Sequence, residues 1–125
     1  MTLQLGPVIG KIGGAEVTST PVSGESSSGT TWETIHTVTV PIGETWLIAA
    51  VGDLASTHTS SGRPGRLRVG DQPHVEVVGT TPQPVVVAAA IEGPADINIQ
   101  LSNASNTGSP GGVFDGHVYT VPLPD

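Results

Sequence analysis

The stretch HTVTVPIGETWLIAAVG, residues 36–52, decides the fold class. Leading into it, the chain alternates. Trp32, Thr34, His36, Val38 and Val40 share one face, and Glu33, Ile35, Thr37 and Thr39 the other. That period of two belongs to a β-strand. Its Thr, Val and Ile residues are β-branched, which costs them rotamer freedom in a helix and suits them to a pleated surface. Pro41-Ile42-Gly43-Glu44 then reads as a tight turn, because Pro fixes φ and Gly permits the left-handed conformation. Thr45 to Val51 follows as a second strand. Its apolar residues fall on both faces, the pattern of an interior strand covered on both sides.

Working outward, the same rhythm continues to the C-terminus. Arg66–Val69 and His74–Val78 read as a hairpin around Gly70-Asp71-Gln72-Pro73. Val85–Ile91 is the most hydrophobic segment and is expected to be a central strand. Asp96–Leu101 alternates, with Ile97, Ile99 and Leu101 inward and Asp96, Asn98 and Gln100 outward. Val113–Val121 closes the series, and the stretches 52–64 and 102–112 are polar loops. No period-3.6 stripe occurs. About seven to eight short strands at this spacing predict an all-β fold, an antiparallel β-sandwich or jelly-roll-like barrel.

The first thirty residues differ. Leu3, Leu5, Val8, Ile9 and Ile12 form an apolar set broken by glycines, and SGESSSGTT, residues 23–31, is poor in apolar residues. We therefore expect an N-terminal extended arm and linker over 1–30 and a β-sandwich domain over 31–125. An apolar arm either adds an edge strand to its own sheet or docks on a neighbouring subunit or another protein.

At 125 residues the chain fits one domain. Its net charge of −7, with four basic residues, opposes binding to nucleic acid and to anionic membranes. The lack of cysteine excludes disulfides and thiolate chemistry. The opening MTLQLGPVIGKIGG lacks a basic region followed by a long apolar run and reads poorly as a signal peptide.

No phosphate-binding loop and no Gly-x-Ser-x-Gly elbow is present. His36, His58, His74 and His117 have no short metal-ligand spacing, so no catalytic residue, metal or cofactor is expected. His36 reads as a hydrogen-bonded core or interface histidine, and His58 as a solvated loop residue. Trp32 and Trp46 read as core anchors. Three of the four basic residues, Arg63, Arg66 and Arg68, are concentrated in one stretch, with Arg66 and Arg68 on one strand face. They either pair with carboxylates of the same chain, or dock an acidic partner surface or recognise an anion. The candidate partner-docking residues are thus Leu3, Leu5, Val8, Ile9, Ile12, Arg63, Arg66 and Arg68.

Val40-Pro41-Ile42-Gly43-Glu44-Thr45-Trp46 resembles a strand, Pro-x-Gly turn and apolar strand found in small β-sandwich virion accessory proteins of tailed phages and archaeal tailed viruses. The resemblance covers residues 36–52 and carries over no functional residue, since the motif is a turn. It implies a non-enzymatic virion protein of the capsid decoration, turret or fibre type. The implied partners are its own copies, in a homo-oligomer such as a trimer or pentamer, and the major capsid protein or another virion protein. The alternative is a receptor- or carbohydrate-binding module of a viral fibre or tail tip, with the polar loops carrying recognition.

Overall fold

A computed structural model of the chain describes residues 8–12, 15–26, 32–59, 63–103 and 111–124. Nine strands occupy them: β1 (Val8–Ile12), β2 (Ala15–Glu25), β3 (Glu33–Val40), β4 (Thr45–Ser56), β5 (Gly65–Val69), β6 (Val75–Val77), β7 (Gln83–Glu92), β8 (Ala95–Asn103) and β9 (Gly112–Pro122). They form a five-stranded sheet, β1-β2-β9-β4-β7, and a four-stranded sheet, β3-β8-β5-β6. All pairings are antiparallel, and the two sheets make a β-sandwich, as expected.

The topology is a nest. β5 pairs with β6, β4 with β7, β3 with β8, and β2 with β9. The chain is thus one long hairpin with the β5–β6 turn at its tip. Two further ladders, β4–β9 and β5–β8, roll that hairpin into two sheets, which is the jelly-roll arrangement.

The core lies between the sheets. Trp46, Ile48, Leu54 and Phe114 from the larger sheet meet Val38, Val40, Leu67, Val69, Ile99 and Leu101 from the smaller one, all essentially inaccessible to solvent. Trp46 is the core anchor its sequence context suggests, and its indole Nε1 donates to Glu44 Oε1 at 3.1 Å. The connection from β3 to β4 is a type II turn. Gly43 takes φ +80°, Glu44 N donates to Pro41 O at 3.3 Å, and Ile42 sits at the exposed tip.

Three expectations change. First, the sandwich begins before residue 31, because the N-terminal segment adds strands to its own sheet, one of the two alternatives above. β2 pairs with β9 over eight residue positions, and Val22 is buried in the core. Ser26, read as linker, is fully buried and clasps the start of β9. Its N–H donates to Gly112 O, its carbonyl accepts from Gly111 N, and its Oγ accepts from Gly112 N. The Gly/Ser composition hid a strand end whose backbone groups bond to another strand. Residues 27–31 lie outside the described residues.

Second, β7 is an edge strand and not a central one. Third, the alternation of β3 is broken. Thr34 pairs with Gln100 and the next pair is His36 with Ile99, so Ile35 is an extra residue, a β-bulge. A bulge moves everything on one side of it to the opposite face. His36, Val38 and Val40 point inward, whereas Trp32 and Thr34 lie on the outer face. Trp32 is therefore not a core anchor.

The inward His36 has a buried Nε2 with no hydrogen-bond partner among the described residues, and burial lowers its pKa from the ordinary histidine value. The Nε2 of His58 is likewise buried and unpartnered, so that side chain is not the solvated one expected.

Two outcomes follow from this packing. Truncating Leu67 or Leu101 to Ala leaves a cavity between the sheets and lowers unfolding free energy by about 2–5 kcal/mol in urea titration. Because His36 is held neutral in the folded state, the unfolded chain takes up the proton first as pH falls through about 6.5. Stability is then present above that pH and declines below it. In His36→Val, melting temperature measured between neutral and mildly acidic pH falls less steeply than in the native chain. Equal slopes would show that His36 is not the titrating group.

Candidate functional site

The two outer faces of the sandwich have opposite chemistry. On the four-stranded sheet, outward side chains pair across strands in polar rows. Thr39 Oγ1 donates to Asp96 Oδ1 (2.9 Å), and Thr37 Oγ1 to Asn98 Oδ1 (3.0 Å). Gln100 Nε2 donates to Thr34 Oγ1 (3.2 Å) and Gln100 Oε1 accepts from Arg68 Nε (2.9 Å). Arg66 Nε donates to Ser102 Oγ at 3.2 Å.

The outward turn of Trp32 brings its indole onto this face. Arg68 Cζ stands 4.2 Å and Arg66 Cζ 5.0 Å from the ring centroid, close enough for cation–π attraction. The His74 ring is 5.7 Å away, and its Nε2 is 2.9 Å from Glu76 Oε1. The Nε bonds to Gln100 and Ser102 hold both guanidiniums at the ring. Among the described residues no carboxylate lies at salt-bridge distance from Arg68. A cleft of about 370 Å³ opens beside it, lined by Arg68, Asp71, Gln72, Asp96, Asn98 and Gln100 among others.

Across β7, β4 and β9 the outer face of the five-stranded sheet is largely apolar. Its register sets up rows across β7, β4 and β9: Ala90, Leu47 and Val121; Ala88, Ala49 and Tyr119; Val86, Val51 and His117. A fourth row, Pro84, Asp53 and Asp115, ends the patch with two carboxylates. Val86 is 61% exposed, and Ala88 and Ala90 are exposed, while Leu47, Ala49, Val51 and Tyr119 are half-buried and Val121 is buried. β4 was expected to be covered on both faces. It is interior within the sheet, between β9 and β7, but only one of its faces lies on the core.

Of the sequence-derived docking residues, Arg66 and Arg68 meet at one ring. Arg63 lies before β5, where its carbonyl oxygen accepts from Ser56 Oγ. Val8, Ile9 and Ile12 are in β1, paired along the edge of β2, and Leu3 and Leu5 lie outside the described residues. Sequence reasoning missed Trp32 as a surface residue and missed the apolar outer face. The signal for the latter was present in the two-faced apolar patterns of β4 and β7.

Among the described residues no group of three or more His, Asp or Glu side chains is gathered as a metal site. Compared with known proteins, the chain matches no protein family and no curated protein.

A double-mutant cycle checks the stack. Trp32→Ala and Arg68→Ala, singly and together, give a coupling of about 0.5–1 kcal/mol in chemical unfolding. Zero coupling would mean that the contact does not hold in solution.

Proposed function

We propose that this chain is a non-enzymatic virion structural protein, a capsid decoration or turret subunit that assembles as a homo-oligomer on the capsid. The observation that carries the reading is the apolar outer face of the five-stranded sheet. Soluble monomers rarely leave a contiguous apolar patch of more than a few hundred Å² open to water, and larger ones mark interaction sites. Three rows across β7, β4 and β9, all Leu, Ala, Val and Tyr except His117, put apolar side chains on this face of a chain whose net charge is −7, with Val86, Ala88 and Ala90 open to water.

In this arrangement the apolar face lies against the shell or a neighbouring subunit. The hydrogen-bonded polar face, with Trp32, Arg66 and Arg68, is turned outward. The stretch that resembles virion accessory proteins is the β3–β4 connection, where the chain passes from one sheet to the other. Jelly rolls occur in viral capsid proteins, and also in lectins and cupins, so the fold is compatible with the reading and does not select it.

One observation favours a second reading, a receptor- or carbohydrate-binding module of a fibre or tail tip. The cleft beside Arg68 is lined by Asp, Asn and Gln side chains, which suit sugar hydroxyls, and Trp32 stands nearby.

Quantitative mass spectrometry of purified virus particles tests the first reading. The chain is expected in many copies per particle. Ala49→Glu and Tyr119→Glu, both on the apolar face, should abolish co-sedimentation with capsids and leave the melting temperature nearly unchanged. Absence of the chain from particles, or capsid binding insensitive to both substitutions, sinks the proposal. Glycan-array binding lost on Trp32→Ala would instead select the second reading.

A further inference from the structure

Four strands end the two sheets: β1 and β7 in one, β3 and β6 in the other. An open edge invites pairing with another chain, and proteins usually blunt it. Three of these edges are blunted. The register of β1 shifts between Val8 and Gly10, β3 carries the bulge at Ile35, and β6 is three residues long. β7 has none of these features. Its ten residues run in unbroken register along β4, with no Gly, Lys or Arg, and its one Pro stands near the start.

The hydrogen-bond phase of this edge is determined. Gly93 N donates to Glu44 O at 2.8 Å, in line with the β4–β7 ladder, and Leu123 N donates to Thr45 O at 2.7 Å, in line with β4–β9. Bonding alternates along an antiparallel strand. Val85, Val87, Ala89 and Ile91 therefore bond to β4, and the backbone groups of Val86, Ala88, Ala90 and Glu92 point off the sheet. Among the described residues none of these four has another backbone partner.

We propose that the occupant of this edge is β7 of a second copy, antiparallel about a two-fold axis at Ala88. The strand is complementary to itself in that register. Ala88 faces the second copy's Ala88, Val86 faces Ala90, Val87 faces Ala89, and Val85 faces Ile91. Bulky residues thus meet small ones around the centre, and Pro84, which lacks a donor, falls at the end opposite Glu92. No two like charges are opposed, and apart from the terminal Glu92 the edge is uncharged.

The two five-stranded sheets then form one continuous sheet. Val85 and Ile91, only partly buried in one copy, gain neighbours, and the two apolar outer faces adjoin. This pairing names the self-contact of the homo-oligomer proposed above. It is tested on the purified chain alone, so its failure is separate from any failure of capsid attachment.

Sedimentation equilibrium and amide exchange supply the test. The native chain is expected to have twice the mass of the monomer, and the amides of Val86, Ala88 and Ala90 to be protected. Ala88→Pro removes a donor that takes no part in the β4 ladder, and Val86→Lys places a charge on the outer face of the edge. Both variants should be monomeric with native circular dichroism. Protection at the remaining off-sheet amides should fall by roughly tenfold or more, with Val87 and Ala89 unchanged. A native chain that is monomeric with those amides exchanging freely, or an oligomer that survives Val86→Lys, overturns the proposal.

Discussion

The fold depends on the ladder between β4 and β9, eleven residue pairs from Trp46–Pro122 to Ser56–Gly112. Without it β2 and β9 would have no link to β4 and β7, and the five-stranded sheet would fall into two pieces. With it, Trp46, Ile48 and Leu54 are brought beside Phe114 and Val118 to form one wall of the core. Gly52 and Gly116 face each other, and neither position has room for a side chain. A Cβ on Gly52 would stand 2.5 Å from Gly116 Cα, and one on Gly116 would stand 2.9 Å from Phe114 Cζ. The same ladder aligns Leu47 with Val121 and Ala49 with Tyr119, so it also assembles the apolar outer face.

Much of this was legible in the sequence, because inward and outward residues alternate wherever a strand is regular. Ile97, Ile99 and Leu101 read as inward and Gln100 as outward, and they are. Pro41 to Glu44 read as a turn, and it is one. Reading failed where the period was broken by something without a local signature. The bulge at Ile35 has no Gly or Pro to announce it, yet it sends Trp32 to the surface. Arg66 and Arg68 could be assigned to one face, but their meeting with Trp32 depends on a ladder between segments far apart in the chain. Ser26 looked like linker because its role lies in backbone bonds to Gly111 and Gly112, which composition does not report.

The most instructive misreading is β7. A continuous apolar run signals that a strand is buried on both faces, but it does not say by what. β7 has an apolar inner face that its own core uses and an apolar outer face and open edge that it does not. β4 shows the same surplus on its outer side. The hydrophobic pattern therefore describes more burial than one copy of the chain provides. The polar rows on the opposite sheet, where Thr, Asn, Asp and Gln satisfy one another, show no such surplus. The molecule is sided, and its sides were written into the strands before any partner is considered.

The nested topology also constrains how the chain is made. Synthesis runs from β2 toward β9, and β9 pairs with two strands made much earlier. Until Pro122 has left the ribosome, β2 has no inner neighbour and β4 lacks one of its two. Pairing from the β5–β6 tip outward, each pair enclosing the one before it, would close a short additional loop at each step instead of one very long one. Until β9 is in place, β2 and β4, two of the longest strands, each keep one edge open, and the same strand closes both.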